Sequence, residues 1–166
     1  MVQFSASALR HCARNLLAAS AFAVLAGCAA LPGLSGGSVS GAGVHSAEAT
    51  SQLAAFRRAQ GLGPLSRDRA LDQAALTQAR LMAGSSSMAH TTGIGRSFSA
   101  RMRNVGVGTA AENIARGQDS VGEVLVTWEN SPPHRRNMLD PRFEKFGLAS
   151  ATDGEGERYW ALVLGK

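Results

Sequence analysis

The residues between Thr109 and Leu139 combine a carboxylate, a serine and a histidine in one short segment. Glu112 stands in a short apolar stretch, Ser131 precedes two prolines, and His134 follows them. A carboxylate can act as a general base or bind a cation, and an imidazole changes its charge near neutral pH. If the fold groups them, these side chains could orient a water molecule for hydrolysis or bind a divalent metal ion.

One helix is predicted to position this segment. Ser120 and Glu123 have the spacing of a capping box, which supplies side-chain partners to the first N–H groups of a helix. Four apolar residues then follow at positions i, i+3, i+4 and i+7 and predict one buried stripe: Val121, Val124, Leu125 and Trp128. Pro132 and Pro133 are expected to end the helix, so that His134 would leave it on a short, stiff tether.

The remaining pattern predicts an α+β domain. Three further helices and three strands are expected at 47–60, 66–83, 98–103, 110–115, 146–151 and 159–164. The last two strands are joined at Asp153-Gly154-Glu155-Gly156, a sequence typical of a hairpin turn. A loop that begins with Ser85–Ser87 is expected to present His90, and one helical turn is expected at 135–139.

These motifs resemble the CAP superfamily of cysteine-rich secretory proteins, antigen 5 and pathogenesis-related 1 proteins, and are most similar to its compact bacterial branch of SCP-like domains. The resemblance covers roughly residues 47–166 and depends on the order and spacing of several motifs, which are Leu62-Gly63-Pro64-Leu65, His90-Thr91, Trp128-x-x-Ser131-x-x-His134, Asn137-Met138-Leu139 and Tyr159-Trp160-Ala161-Leu162. It implies an α-β-α sandwich with a small antiparallel sheet.

The resemblance also implies a cleft. It assigns His90 and His134 to the family's pair of cleft histidines and Glu112 to its first cleft carboxylate. The family often has a second glutamate three positions after the tryptophan, but Ser131 stands there in this chain. Glu129 is not a simple replacement, because two residues along a helix correspond to a rotation of about 200°. The missing acid weakens a metal site and removes an acid/base pair.

Three functions remain open for this cleft. It could be a binding or interaction module, a metal-assisted hydrolase of the peptidase kind with Glu112 as the candidate base, or a buried polar network in a structural protein. The weak candidate ligands for zinc are His90, His134 and Glu112, which we expect to converge within about 6–8 Å in a partly open groove with Ser131 at its edge. Ser131 has no evident oxyanion hole or orienting triad in the sequence.

The first residues resemble a bacterial lipoprotein signal peptide, assigned to 1–27. Arg10 and Arg14 precede a short apolar run that is too short to span a bilayer permanently. The run ends in Leu25-Ala26-Gly27-Cys28, which resembles a lipobox whose cysteine is lipidated, with palmitate-type acyl chains, and becomes the mature N-terminus. The alternative is an ordinary secretory signal cleaved near position 27.

Residues 28–46 are rich in glycine and serine and predict a flexible tether, followed by the domain at 47–166. Ala29, rather than aspartate, follows the cysteine, which favours the outer membrane, facing the periplasm, if the source is Gram-negative. The expected protein is therefore a monomeric domain held in the cell envelope by a lipid anchor, where it meets a protein or small-molecule ligand.

Composition excludes other classes of function. The chain has 17 basic and 12 acidic side chains, and removal of 1–27 takes away two arginines, leaving 15 and 12 and a net charge of +3. So small an excess does not favour nucleic-acid binding. Cys12 would leave with the signal peptide and Cys28 would be acylated. A disulfide, a metal thiolate and a cysteine nucleophile are therefore not expected.

Overall fold

The computed structural model describes residues 37–91 and 96–166. Cys28 and the predicted signal peptide lie outside these residues. The helices and strands that it describes are β1 (Val39–Val44), α1 (Ser46–Arg58), β2 (Ser66–Arg67), α2 (Arg69–Ser85), α3 (Phe98–Asn104), β3 (Ala110–Arg116), α4 (Val121–Glu129), α5 (Pro132–Met138), β4 (Lys145–Asp153) and β5 (Arg158–Gly165). Within this part of the chain, no helix is long and apolar enough to cross a membrane.

The sheet has the strand order β1-β4-β5-β3, and all of these neighbours are antiparallel. The short strand β2 pairs in parallel with the start of β4. Because side chains alternate along a strand, each face of the sheet contributes its own apolar cluster. One cluster packs against α1 and α4, and the other packs against α2 and α3. Helices thus cover both faces, which confirms the predicted α-β-α sandwich.

The helix α4 forms as its sequence predicts. The Ser120 hydroxyl accepts a hydrogen bond from the Glu123 N–H at 3.2 Å, and the Glu123 carboxylate accepts one from the Asp119 N–H at 2.9 Å. The four predicted stripe residues are all buried. Trp128 is fully buried, and its indole N–H donates to the Ile114 carbonyl at 3.2 Å, so the helix is fixed to strand β3.

The prediction of a flexible tether up to residue 46 is wrong for its last residues. Residues 39–44 form β1, an edge strand that pairs with β4 from Val39↔Asp153 to Val44↔Ala149, and α1 begins at Ser46. The pairing satisfies backbone groups of β4 that would otherwise form an open edge. The domain therefore begins before residue 47.

Helix α2 begins later than predicted. Ser66 belongs to β2, and the N-cap is Asp68, whose carboxylate accepts hydrogen bonds from the N–H groups of Ala70 at 2.9 Å and Leu71 at 3.0 Å. An aspartate N-cap is among the most stabilising, because its side chain replaces the missing backbone partners of the first turn.

Pro132 and Pro133 begin a helix of their own, although they were predicted only to end α4. Helix α4 ends at Glu129, and Pro132 and Pro133 then occupy the first two positions of α5. Proline is well tolerated there, because the N–H groups of a first helical turn have no intrahelical partner. His134 consequently lies in the first turn of α5 and not on a tether.

Candidate functional site

Glu112 is the buried centre of the site. It lies on β3, and its side chain is only 1% exposed. One carboxylate oxygen, Oε1, accepts a hydrogen bond from His90 Nδ1 at 2.9 Å, and the other, Oε2, accepts one from Arg101 Nη2 at 2.5 Å. Both oxygens therefore have protein partners, and little of the carboxylate is left to face a substrate.

Arg101 is the site residue that the sequence analysis missed. It comes from α3, is itself 6% exposed, and donates through Nη1 to the Arg96 carbonyl at 2.7 Å. Its Nε has no hydrogen-bond partner in the described part of the chain. A buried carboxylate is tolerated when a cation compensates its charge, and Arg101 supplies that cation.

The His90 ring is hydrogen-bonded to Glu112 on one side and exposed to solvent on the other. The loop that carries it is pinned to α2 by Gln78, whose side-chain amide donates to the Ala89 carbonyl at 2.5 Å. The His90 side chain remains 53% exposed. In a neutral His90 ring, donation from Nδ1 to Glu112 leaves the lone pair on the other ring nitrogen, Nε2, which is then the atom able to bind a cation.

His134 is positioned through its backbone. The side-chain amide of Asn113 donates to the His134 carbonyl at 3.0 Å, and Asn137 donates to Asn113 Oδ1 at 2.8 Å. Asn113 is fully buried on β3, next to Glu112, so it ties α5 to the same strand.

The surroundings of His134 disfavour its protonated form. Burial lowers the pKa of His134, and the charge of the His90 ring lowers it further. His134 Nδ1 is buried and has no hydrogen-bond partner among residues 37–91 and 96–166. Both effects favour the neutral imidazole, which is the form that binds transition metals.

The structure does not group the two histidines and Glu112 as a set of metal ligands. Within the described residues, no three histidine, cysteine, aspartate or glutamate side chains are arranged so that they could hold a metal ion. The available donors are the imidazoles of His90 and His134, while Glu112 lies behind His90. This matches the common arrangement in which a carboxylate orients a metal-binding histidine without touching the metal.

Ser131 and Glu129 contribute little to this site. Ser131 is the N-cap residue of α5, but its hydroxyl makes no capping hydrogen bond. Burial raises the pKa of Glu129, an effect that Arg135 opposes, and the guanidinium of Arg135 also lies 4.9 Å from the centre of the Phe56 ring.

Comparison with known proteins gives one family and one fold. The model of the CAP family, described as the cysteine-rich secretory protein family, matches residues 50–164. An uncharacterized protein of Bacillus subtilis (strain 168), YkwD, is 35% identical over 102 residues, which are 60% of this chain and 40% of that protein. The chain thus spans less than half the length of this relative.

Solved structures show the same fold. An outer surface protein from Borrelia burgdorferi superposes with a TM-score of 0.66 at 20% identity, covering 78% of this chain and 98% of that one. An extracellular protein containing a SCP domain from Bacillus anthracis str. Ames superposes with a TM-score of 0.64 at 20% identity, covering 72% of this chain and 39% of that one.

Proposed function

The chain belongs to the CAP family of cysteine-rich secretory proteins, and we propose that its domain is a binding module of the bacterial cell envelope that contacts its ligand through His90 and His134. One observation carries this proposal: the buried pair of Glu112 and Arg101 holds the half-exposed ring of His90 in one orientation. Burying two charges costs desolvation free energy. Here the pair directs an imidazole outwards, as a preorganised binding site requires.

Binding fits the geometry better than turnover by Glu112. A general base has to come within hydrogen-bond reach of the proton that it removes. The Glu112 carboxylate is almost completely buried and both its oxygens have partners. A ligand would therefore meet the histidines first, and Glu112 would act as a positioning residue.

Metal-assisted hydrolysis is the second candidate, and it is favoured by the two neighbouring imidazoles. A zinc ion held by two histidines would keep open positions for water or for a peptide carbonyl. A structural protein with a vestigial cleft is a further alternative, supported by the Asn113–Asn137 tie between β3 and α5. One binding measurement separates these candidates.

We expect the domain to bind zinc weakly, with a Kd of about 1 μM or above, equivalent to about −8 kcal/mol. Two imidazoles bind less tightly than the three or four ligands of most zinc sites. Zinc binding should fade below about pH 6, because protons compete for the imidazole nitrogens. Since burial lowers the pKa of His134, that ring stays available to somewhat lower pH than a free histidine. Titration calorimetry across this pH range measures both quantities.

Two variants remove the candidate zinc ligands, and a third, in the loop that carries His90, is their control. His90→Ala and His134→Ala should each abolish measurable binding, whereas Met88→Ala, an exposed change two residues from His90, should leave it unchanged. No heat with millimolar zinc would contradict metal binding and favour the structural network. Zinc-dependent peptide cleavage that is lost in Glu112→Gln would instead show an enzyme.

The envelope location rests on the relatives and on the N-terminal sequence. The Borrelia burgdorferi protein is described as an outer surface protein, and the Bacillus anthracis protein as extracellular. We propose that this chain is likewise exported and remains attached to a membrane through a lipidated Cys28. Ten residues separate Cys28 from β1, so the extended chain would hold the sheet edge within about 35 Å of the bilayer.

Replacement of Cys28 by alanine should release the protein from the membrane. The acyl chains on a lipoprotein cysteine anchor stably because two or more are present, whereas one chain holds only marginally. Fractionation of cells should therefore find the wild type in the membrane pellet and Cys28→Ala in the soluble fraction. The exposed variant Ser51→Ala should stay in the pellet. A wild-type protein that is soluble would disprove the anchor and leave ordinary secretion.

A further inference from the structure

A second serine and histidine pair lies at the opposite edge of the sheet. His45 follows β1, and its Nε2 lies 2.8 Å from the hydroxyl oxygen of Ser150 on β4. The strand order β1-β4-β5-β3 separates this pair from Glu112, which lies on β3. The pair is therefore separate from the site around Glu112.

The surroundings of His45 favour the form of the ring that accepts a proton. Burial lowers the pKa of His45, Glu48 opposes this, and Arg158 lowers the pKa further, so the ring is neutral at neutral pH. Its Nδ1 is 3.9 Å from a carboxylate oxygen of Glu48, whose negative charge favours the tautomer with the proton on Nδ1. Nε2 then carries the lone pair, and the Ser150 hydroxyl donates to it.

The His45 ring is also fixed in place. Its backbone N–H donates to the Leu148 carbonyl at 2.7 Å, and the ring packs against Trp160 with 5.1 Å between the ring centres. These contacts come from β4 and β5, which are strands of the core. A nucleophile and its base need such a fixed relation, because small displacements cost large factors in rate.

A cleft of about 260 Å³ opens onto this pair. Its walls include His45, Ser150 and Arg158, together with the small residues at the end of β1. A Cβ atom at Gly43 would stand 3.6 Å from His45 Nε2, so the glycine keeps the space beside that nitrogen open. Arg158 lines the same cleft, and its guanidinium, which donates through Nη1 to the Asp119 carbonyl and lies 5.7 Å from the centre of the Trp160 ring, is the cation nearest to any negative charge that develops there.

We propose that Ser150 and His45 form a second site that hydrolyses short-chain carboxylic esters, with Glu48 as a positioning residue and Arg158 facing the oxyanion. The Ser150 oxygen attacks the ester carbonyl carbon as its proton passes to His45 Nε2. The carbon–oxygen bond to the alcohol then breaks, and His45 returns the proton to the departing alkoxide. Water, as it gives a proton to His45, attacks the carbonyl carbon of the acyl-serine ester. The bond to the Ser150 oxygen then breaks, the carboxylic acid leaves, and His45 returns the proton to restore the Ser150 hydroxyl.

The size of the cleft sets the substrate class. A volume of about 260 Å³ is at the lower end for small-molecule sites, which suits an acyl group of a few carbons and not a long acyl chain. Ser150 itself is 5% exposed, so a substrate has to reach it through this cleft.

The test uses an alkyl fluorophosphonate, which phosphonylates activated serines, on the purified full-length protein. We expect Ser150 to be the labelled residue when the product is mapped by peptide mass spectrometry. The labelling rate should fall at least about 100-fold in His45→Gln, since general-base catalysis contributes that much. Ser51→Ala, which changes an exposed serine on α1, should be labelled like the wild type and should hydrolyse p-nitrophenyl acetate at the wild-type rate.

If His45→Gln does not fold, Glu48→Gln provides a second test of the proposal. Glu48 is 59% exposed, so Glu48→Gln should fold normally and slow labelling by about threefold, as expected for one screened charge. Absence of a label on Ser150 in the folded wild type would overturn the proposal. So would labelling at the same rate in a folded His45→Gln, and the pair would then be a structural tie between β1 and β4.

Discussion

Replacement of Arg101 by methionine should destabilise the domain by about 3–5 kcal/mol, the cost observed when one partner of a buried ion pair is removed. The Glu112 side chain is 1% exposed and the Arg101 side chain 6%, so water cannot take over the lost hydrogen bond at 2.5 Å. Methionine keeps much of the apolar volume of the arginine stem, which limits the cavity contribution. Urea unfolding followed by tryptophan fluorescence measures the change.

Arg103→Met is the matched control for this prediction. Arg103 lies on the same helix, two residues away, but is exposed, and a surface change of this kind should stay within about 0.5 kcal/mol. The double variant Arg101→Met/Glu112→Leu should recover most of the lost stability, because an apolar pair no longer leaves a charge unpaired. A loss below about 1 kcal/mol in Arg101→Met would show that Glu112 finds another partner.

The double variant also separates folding from function. Without Glu112, His90 Nδ1 loses its acceptor, and the half-exposed ring is free to rotate. Zinc affinity should then fall although the fold is restored, since removal of a carboxylate behind a metal-binding histidine typically costs about 10–100-fold. The buried ion pair would thus serve the orientation of one ring at the expense of stability.

The parts of the fold that could be predicted are those with local signals. The capping box at Ser120, the four-residue stripe and the hairpin turn at 153–156 each lie within a few residues of the element that they define. These interactions form between neighbours in the chain, so spacing is sufficient to identify them. The helix α4 and the strands β4 and β5 were therefore predicted with the correct type and nearly the correct ends.

Other features depend on contacts between distant parts of the chain. Arg101 is 11 residues from Glu112, and nothing in its own helix indicates which carboxylate it will meet. Strand β1 is rich in glycine, which is uncommon in strands, and it is held by backbone pairing with residues more than 100 positions away. His45 and Ser150 are separated by 105 residues. Such pairs are set by the topology of the sheet.

The site around Glu112 could be predicted only in part. The resemblance to the CAP family selected His90, Glu112 and His134, and of these the structure joins His90 and Glu112 by a hydrogen bond of 2.9 Å. The resemblance could not show that both oxygens of the Glu112 carboxylate already have hydrogen-bond partners in the protein. That engagement of both oxygens supports the proposal that Glu112 is a positioning residue and not a ligand or base.

Replacement of Gly147 by alanine should destabilise the domain by more than about 3 kcal/mol, the upper range for overpacking. A Cβ atom at this position on β4 would stand 2.2 Å from the Leu71 carbonyl carbon and 2.3 Å from the Asp72 nitrogen, both of which are backbone atoms of α2. The start of α2 cannot move away easily, because the Asp68 N–H donates to the Phe146 carbonyl at 3.0 Å. Thermal unfolding measures the effect.

Gly108→Ala is the control for Gly147→Ala, because no atom lies within 4 Å of a Cβ atom at that position. Its stability should change by no more than about 1 kcal/mol, in either direction. The same experiment bears on the cleft, since α2 carries the loop that presents His90 through the Gln78–Ala89 hydrogen bond. If Gly147→Ala shifts α2 to relieve the clash, zinc affinity should fall even where the protein remains folded. A variant as stable as the wild type would mean that β4 and α2 are not in backbone contact.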